Sequence, residues 1–183
     1  MADHLVTWAA ELARAKLESS LPRRWTHVAG VARQAARVAD LVDDGDLLVA
    51  AAWLHDIGYA PDLIQTGFHP VDGARFLEER NANSRLCALV ANHSCACVEA
   101  RHRGVEVDWP DEQSPLRDAL WWADMTTTPD GERISVQDRI NEVGVRYGRE
   151  HVVTLSLEEA APELIAAASR TEALLSITAH HVK

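Results

Sequence analysis

LLVAAAWLHDIG, residues Leu47–Gly58, is the stretch around which the chain is built. Eight apolar residues, Leu47 to Leu54, run without interruption into His55, Asp56 and then Gly58. An apolar run with no polar face predicts a helix enclosed by protein on all sides. It is too short to cross a bilayer, which takes about 20 apolar residues. An imidazole and a carboxylate at the end of such a helix are costly to bury unless something compensates them. A metal ion does so, because neutral imidazole and ionised carboxylate are both good ligands. Gly58 is expected to end the helix and turn the backbone away from the ion. The rest of the protein is expected to wrap around this His-Asp pair.

The 183 residues fit one helical domain, residues 1–183, long enough to bury a sizeable core. The formal net charge of −10 argues against a broad nucleic-acid surface and favours a small-molecule ligand held by a few local basic residues. The N-terminal MADHLVTWAAELARAK mixes Asp, His and Glu among its apolar residues, so it does not read as a secretory signal, and no run is long enough for a membrane span. Three cysteines, Cys87, Cys95 and Cys97, make no even-numbered disulfide framework and point to free thiols in a reducing cytoplasm.

Outward from the central run, the periodicity predicts helices almost throughout. Leu5, Trp8, Leu12 and Leu17 give a first helix from about 3 to 18. A second begins at Ser20-Leu21-Pro22 and carries Val28, Val31, Ala35, Val38 and Val42 on one face, with His27 on the same stripe and Arg24 one turn before it. Asp46 is expected to cap the central helix. His69-Pro70 reads as an N-cap and N1 pair opening a short helix that ends near Asn81. Ser84 opens another, whose stripe of Leu86, Leu89 and Val90 closes on His93. Residues 98–113 read as polar and irregular, with 105–109 a weak strand candidate. Ser114-Pro115 starts a helix that puts Leu116, Leu120 and Asp124 inward, and Ser135 starts one faced by Val136, Ile140, Val143 and Tyr147. Ser156 and Glu159 are expected to form a capping box, and Pro162 to split the C-terminal stretch. The fold class is all-α: a compact multi-helix bundle around a central buried helix, with the helices of 135–183 packed on a core of about 20–130.

Six residues of metal-ligand type now lie on inward faces: His27, His55, Asp56, His69, His93 and Asp124. A single histidine on an apolar stripe is more often a hydrogen-bonded core residue than a ligand. Six such residues, on the core faces of five helices, are hard to explain as independently satisfied polar groups. Here the sequence resembles the H…HD…D signature of the HD-domain metal-dependent phosphohydrolase superfamily through His27, His55-Asp56 and Asp124. His69 and His93 stand where its two-metal branches carry further histidines. Arg24-Trp25-Thr26-His27 and His69-Pro70-Val71-Asp72-Gly73-Ala74 resemble the RxxH and HxxxGA segments of the YqeK-like group, which cleaves diadenosine tetraphosphate with a two-iron centre. The chain departs from that group in having Gly58-Tyr59 where it has lysine, and Met125-Thr126-Thr127-Thr128 where it has a basic residue.

The resemblance implies an HD-like bundle, a divalent transition metal bound as two ions, and a phosphorylated small-molecule substrate, in first place a nucleotide or dinucleoside polyphosphate. Iron comes first for the metal, while nitrogen and oxygen ligands also suit Mn, Co, Ni or Zn. Two ions about 3.5–4 Å apart share a bridging hydroxide ionised at neutral pH and polarise a phosphoryl oxygen. Asp56 is the candidate bridge, and Arg24, whose planar fork fits phosphate oxygens, the candidate phosphate clamp. A surface ion pair is the plain alternative for Arg24. Arg101, His102 and Arg103 either reach over the pocket or belong to a solvated loop. Trp25, Trp121 and Trp122 either stack on a base or pack the core, and Thr126 and Thr127 either bind phosphate or cap a turn. Two other functions remain open: a mixed-valence di-iron oxygenase of the same superfamily, and a non-catalytic nucleotide or metal sensor. A homodimer is compatible with all three.

Overall fold

The computed structural model describes residues 2–181, with side chains described for 4–177. Regular structure among them is helical, apart from one isolated bridge between Thr127 and Arg133. The central run forms α3 (Gly45–Leu54), surrounded by α1 (Ala2–Leu17), α2 (Pro22–Ala36), α5 (Ser84–Ala91) and α7 (Pro115–Met125). Leu48, Ala50, Ala51, Ala52 and Leu54 are fully buried, as an apolar run without a polar face requires. α4 (His69–Glu78) lies on α5 and on the short turn Ile57–Tyr59, while α8 (Val136–Tyr147) and α9 (Val152–His181) pack on each other and on α7. One hydrophobic cluster extends from Ala9 on α1 to Ala168 on α9.

Several boundaries differ from expectation for identifiable reasons. α2 stops at Ala36, and Val38 and Val42 follow on a turn and an extended residue. The backbone must leave the helix there because Ala39 lies against the start of α3, where a Cβ on Gly45 would come 2.2 Å from the Ala39 carbonyl oxygen. α3 is entered through Asp44 in the left-handed region (φ 61°), so Asp46 sits within the first turn and is not the cap. Phe68 is the N-cap of α4, which makes His69 its first residue and Pro70 its second. Ser114 and Ser135 cap α7 and α8 as expected, each accepting a backbone N–H at 3.1 Å.

Residues 98–113 are not all irregular. Ala96–Arg103 form α6, closed by Gly104 in the left-handed region (φ 67°) with three basic residues in the last turn. No strand forms at 105–109: Val105, Val107 and Trp109 pack against Phe68, Val71, Ala96 and Ala100. α9 runs through Pro162 without splitting. That proline deprives only the Glu158 carbonyl of its helical donor, and both residues are exposed, so water can replace the bond. Ser156 is therefore not a cap but a buried residue inside α9.

Candidate metal centre

α3 ends at Leu54, and the chain carries His55 and Asp56 into the turn Ile57–Tyr59. Gly58 does not serve as a left-handed helix terminator. Its role is close approach: a Cβ there would lie 2.1 Å from the His69 carbonyl oxygen and 2.5 Å from the Gly73 nitrogen. The absence of a side chain at 58 brings the start of α4, and with it His69, against the His55-Asp56 pair.

The six ligand-type residues converge. The Oδ2 of Asp56 lies 3.7 Å from His27 Nε2 and 3.5 Å from His55 Nε2, while its Oδ1 lies 3.1 Å from His69 Nε2 and 3.7 Å from His93 Nε2. Asp124 Oδ1 adds contacts of 3.1 Å to His27 and 3.7 Å to His55. The groups with metal-binding spacing among the described residues are His27, His55 and Asp56 on one side, and Asp56, His69 and His93 on the other. Asp56 belongs to both.

Hydrogen bonding fixes which nitrogens face inward. The Nδ1 of His27, His55 and His93 donate to the carbonyls of Thr128 (3.0 Å), Ala52 (2.8 Å) and Val90 (2.7 Å). Carbonyls only accept, so in each neutral ring Nε2 carries the lone pair. The Nε2 of His55 is buried with no hydrogen-bond partner, and that of His27 meets a carboxylate oxygen, another acceptor. Lone pairs pinned from behind and converging on one another are what metal-ligating histidines present. The residues fit a cation, and this buried cluster can bind a divalent metal.

The electrostatics keep these side chains in the protonation states a cation needs. Burial pushes the His55 imidazole pKa down and that of His69 to about 4, against the opposing pull of Asp56. Burial would raise the Asp56 carboxyl, but Arg24, His55 and His69 together hold it well below the usual carboxylate range. Asp124 is likewise depressed against burial, chiefly by the His27 imidazole against it, with His55 adding to the effect. Arg24 is no surface ion pair: its Nη1 donates to Asp56 Oδ2 at 2.6 Å, and its guanidinium lies 4.0 Å over the Tyr59 ring, which stacks on His69 at 3.9 Å.

Two residues at the cluster carried no sequence signal. Ser94, itself in the left-handed region (φ 49°), donates to Asp124 Oδ2 at 2.5 Å. Tyr59 forms the platform between Arg24 and His69. Other candidates fall away from the cluster. Thr126 and Thr127 are buried and donate to the Trp122 and Ala123 carbonyls, which is turn capping. Trp121 and Trp122 are core, and Trp25 stacks on Trp53. Arg101 and His102 pair with Glu159 on α9, so this run is helical and neither solvated loop nor pocket cover. The three cysteines are free thiols. No described helix is long and apolar enough to cross a membrane.

The HD domain family profile matches residues 24–142, which include all six ligand-type residues and Arg24. The chain belongs to the HD-domain family, whose general activity is that of metal-dependent phosphohydrolases. Searches of curated proteins and of solved structures return no significant match.

Proposed function

We propose that the protein is a two-metal phosphohydrolase that cleaves a phosphate ester or anhydride of a nucleotide or dinucleoside polyphosphate. The observation that carries this reading is the pair of histidine groups on opposite oxygens of Asp56, an arrangement suited to a carboxylate shared by two ions. His27, His55 and Asp124 would hold one ion, and His69 and His93 the other. Bound divalent metals supply an ionised water at neutral pH and polarise a phosphoryl oxygen. The chain's own residues do the rest. Burial keeps His55 and His69 unprotonated as ligands. Arg24 uses one N–H on Asp56 and has four others, so it can clamp a phosphoryl oxygen while staying fixed to the cluster. Tyr59 holds that guanidinium in place from below.

The test is metal analysis of protein purified without chelators, combined with a phosphatase screen over nucleotides and dinucleoside polyphosphates. Retained metal, activity abolished by chelation, and loss of at least about 100-fold in Asp56→Ala and His55→Ala are expected. Variants as active as the parent would refute the assignment. Substrate-dependent dioxygen uptake would favour the oxygenase, and tight nucleotide binding without turnover the sensor.

A further inference from the structure

The cleft above the His/Asp cluster has a cavity volume of about 130 Å³ and a second wall to which none of the six ligand-type residues belongs. α8 and α9 build that wall, and it carries Arg139, Arg146 and Ser156. Arg139 interrupts the apolar stripe Val136, Ile140, Val143 and is 6% exposed. Its Nη1 pairs with Glu142, while its Nε is buried with no acceptor. Ser156 is 3% exposed on the inward stripe with Ala160 and Leu164, and its hydroxyl also has no partner. Buried donors left unmatched are destabilising, and Arg139 and Ser156 place two of them on residues of one cleft wall, where an anion would match them. The charge agrees. Arg139 and Arg146 share the single carboxylate of Glu142, which leaves the wall with one positive charge in excess. Glu99, the acid that lines the cleft beside it, is already paired with Arg103.

We infer that this wall is a second phosphate subsite. Arg139 and Ser156 bind a phosphate linked to the one held at the metal cluster, and Arg146 meets it at the mouth. The inference rests on the phosphohydrolase reading and narrows it: the substrate class is one with at least two connected phosphates, and monophosphate esters fill only half the site.

The experiment uses the full-length, metal-loaded protein, with inorganic phosphate and methylenediphosphonate as probes, titrated calorimetrically while bound metal is measured in the same samples. The parent is expected to bind the diphosphonate at least about 10-fold more tightly than phosphate, the worth of one or two charge-assisted hydrogen bonds. Ser156→Ala and Arg139→Gln are each expected to remove about 5- to 10-fold of that advantage, with phosphate affinity within about twofold and metal content unchanged. Ser156→Ala keeps a strong helix former at the position, so it carries the test even if Arg139→Gln fails to fold. Equal affinity of the parent for the two anions overturns the subsite, as do variants that bind the diphosphonate like the parent, or that lose phosphate and metal along with it. Failure of the subsite alone leaves phosphate binding and monoester hydrolysis intact. Failure of the phosphohydrolase reading removes both from the parent, and the subsite with them.

Discussion

Asp56 presents each of its oxygens to a different pair of histidines, and the residues around it act mainly by fixing where those atoms point. Ser94 is the clearest test. Its 2.5 Å bond orients Asp124 from outside the ligand set. Ser94→Ala is expected to weaken metal affinity about 10- to 100-fold while leaving the helical content unchanged; chelator competition measures it, and parent-like affinity would show Asp124 needs no such support. The imidazoles give a second test, by pH. Burial lowers His69 from 6.5 to about 4. Above pH 6.5 the ring is neutral in folded and unfolded chains alike. Between 6.5 and about 4 only the unfolded chain takes up the proton, so stability falls as pH falls across that window, by on the order of 3 kcal/mol for this ring in chelated protein. His55 acts with the same sign. Urea unfolding at several pH values in chelator reads this directly, and a flat profile would contradict the burial. At this scale the six converging side chains were legible because an imidazole or carboxylate on an apolar stripe is conspicuous. Ser94 and Tyr59 were not, because nothing in the spacing of a serine or tyrosine shows that the backbone will aim it at another residue's side chain.

The elements matter through how closely they approach. Gly58 lets α4 touch the turn after α3, so Gly58→Ala must push the His69 backbone away. The expected result is a destabilisation of about 2 kcal/mol or more, with metal affinity lost together with it. Thermal unfolding and metal titration of that variant check it, and a neutral substitution would mean α4 can move without consequence. The central helix and the caps of α7 and α8 could be read from the sequence because burial and capping are local demands. The end of α2 and the start of α3 could not, since Gly45 against Ala39 is a contact between backbones. α6 was hidden by its polar composition, although Gly104 after a basic turn is a C-terminal signal in its own right. Continuity of α9 through Pro162 depends on the exposure of Glu158, which periodicity does not reveal.

For the whole molecule, the His/Asp cluster is where α2, α4, α7, the turn after α3 and the turn His93–Cys95 meet, so ions bound there would cross-link most of the bundle. Metal present at about 1,000 times its dissociation constant would add about 4 kcal/mol to stability. At about 2–4 °C per kcal/mol for a chain of this size, chelation is expected to lower the melting temperature by roughly 8–16 °C. Scanning calorimetry with and without chelator measures this, and an unchanged transition would mean the cluster holds no ion in the folded protein. The charge is also unevenly divided: the whole chain carries a formal net charge of −10, while the cleft wall holds two guanidinium groups against the one carboxylate of Glu142.

The rings of Trp25 and Trp53 stack with centroids 5.2 Å apart and planes 23° from parallel. Trp25 stands two residues before His27 and Trp53 two before His55, so the indole pair bridges the helices that deliver both histidines. Excited states of two indoles this close mix, and their circular dichroism and emission depend on the relative tilt. Any ion binding that tilts α2 against α3 would therefore be readable optically, without a label.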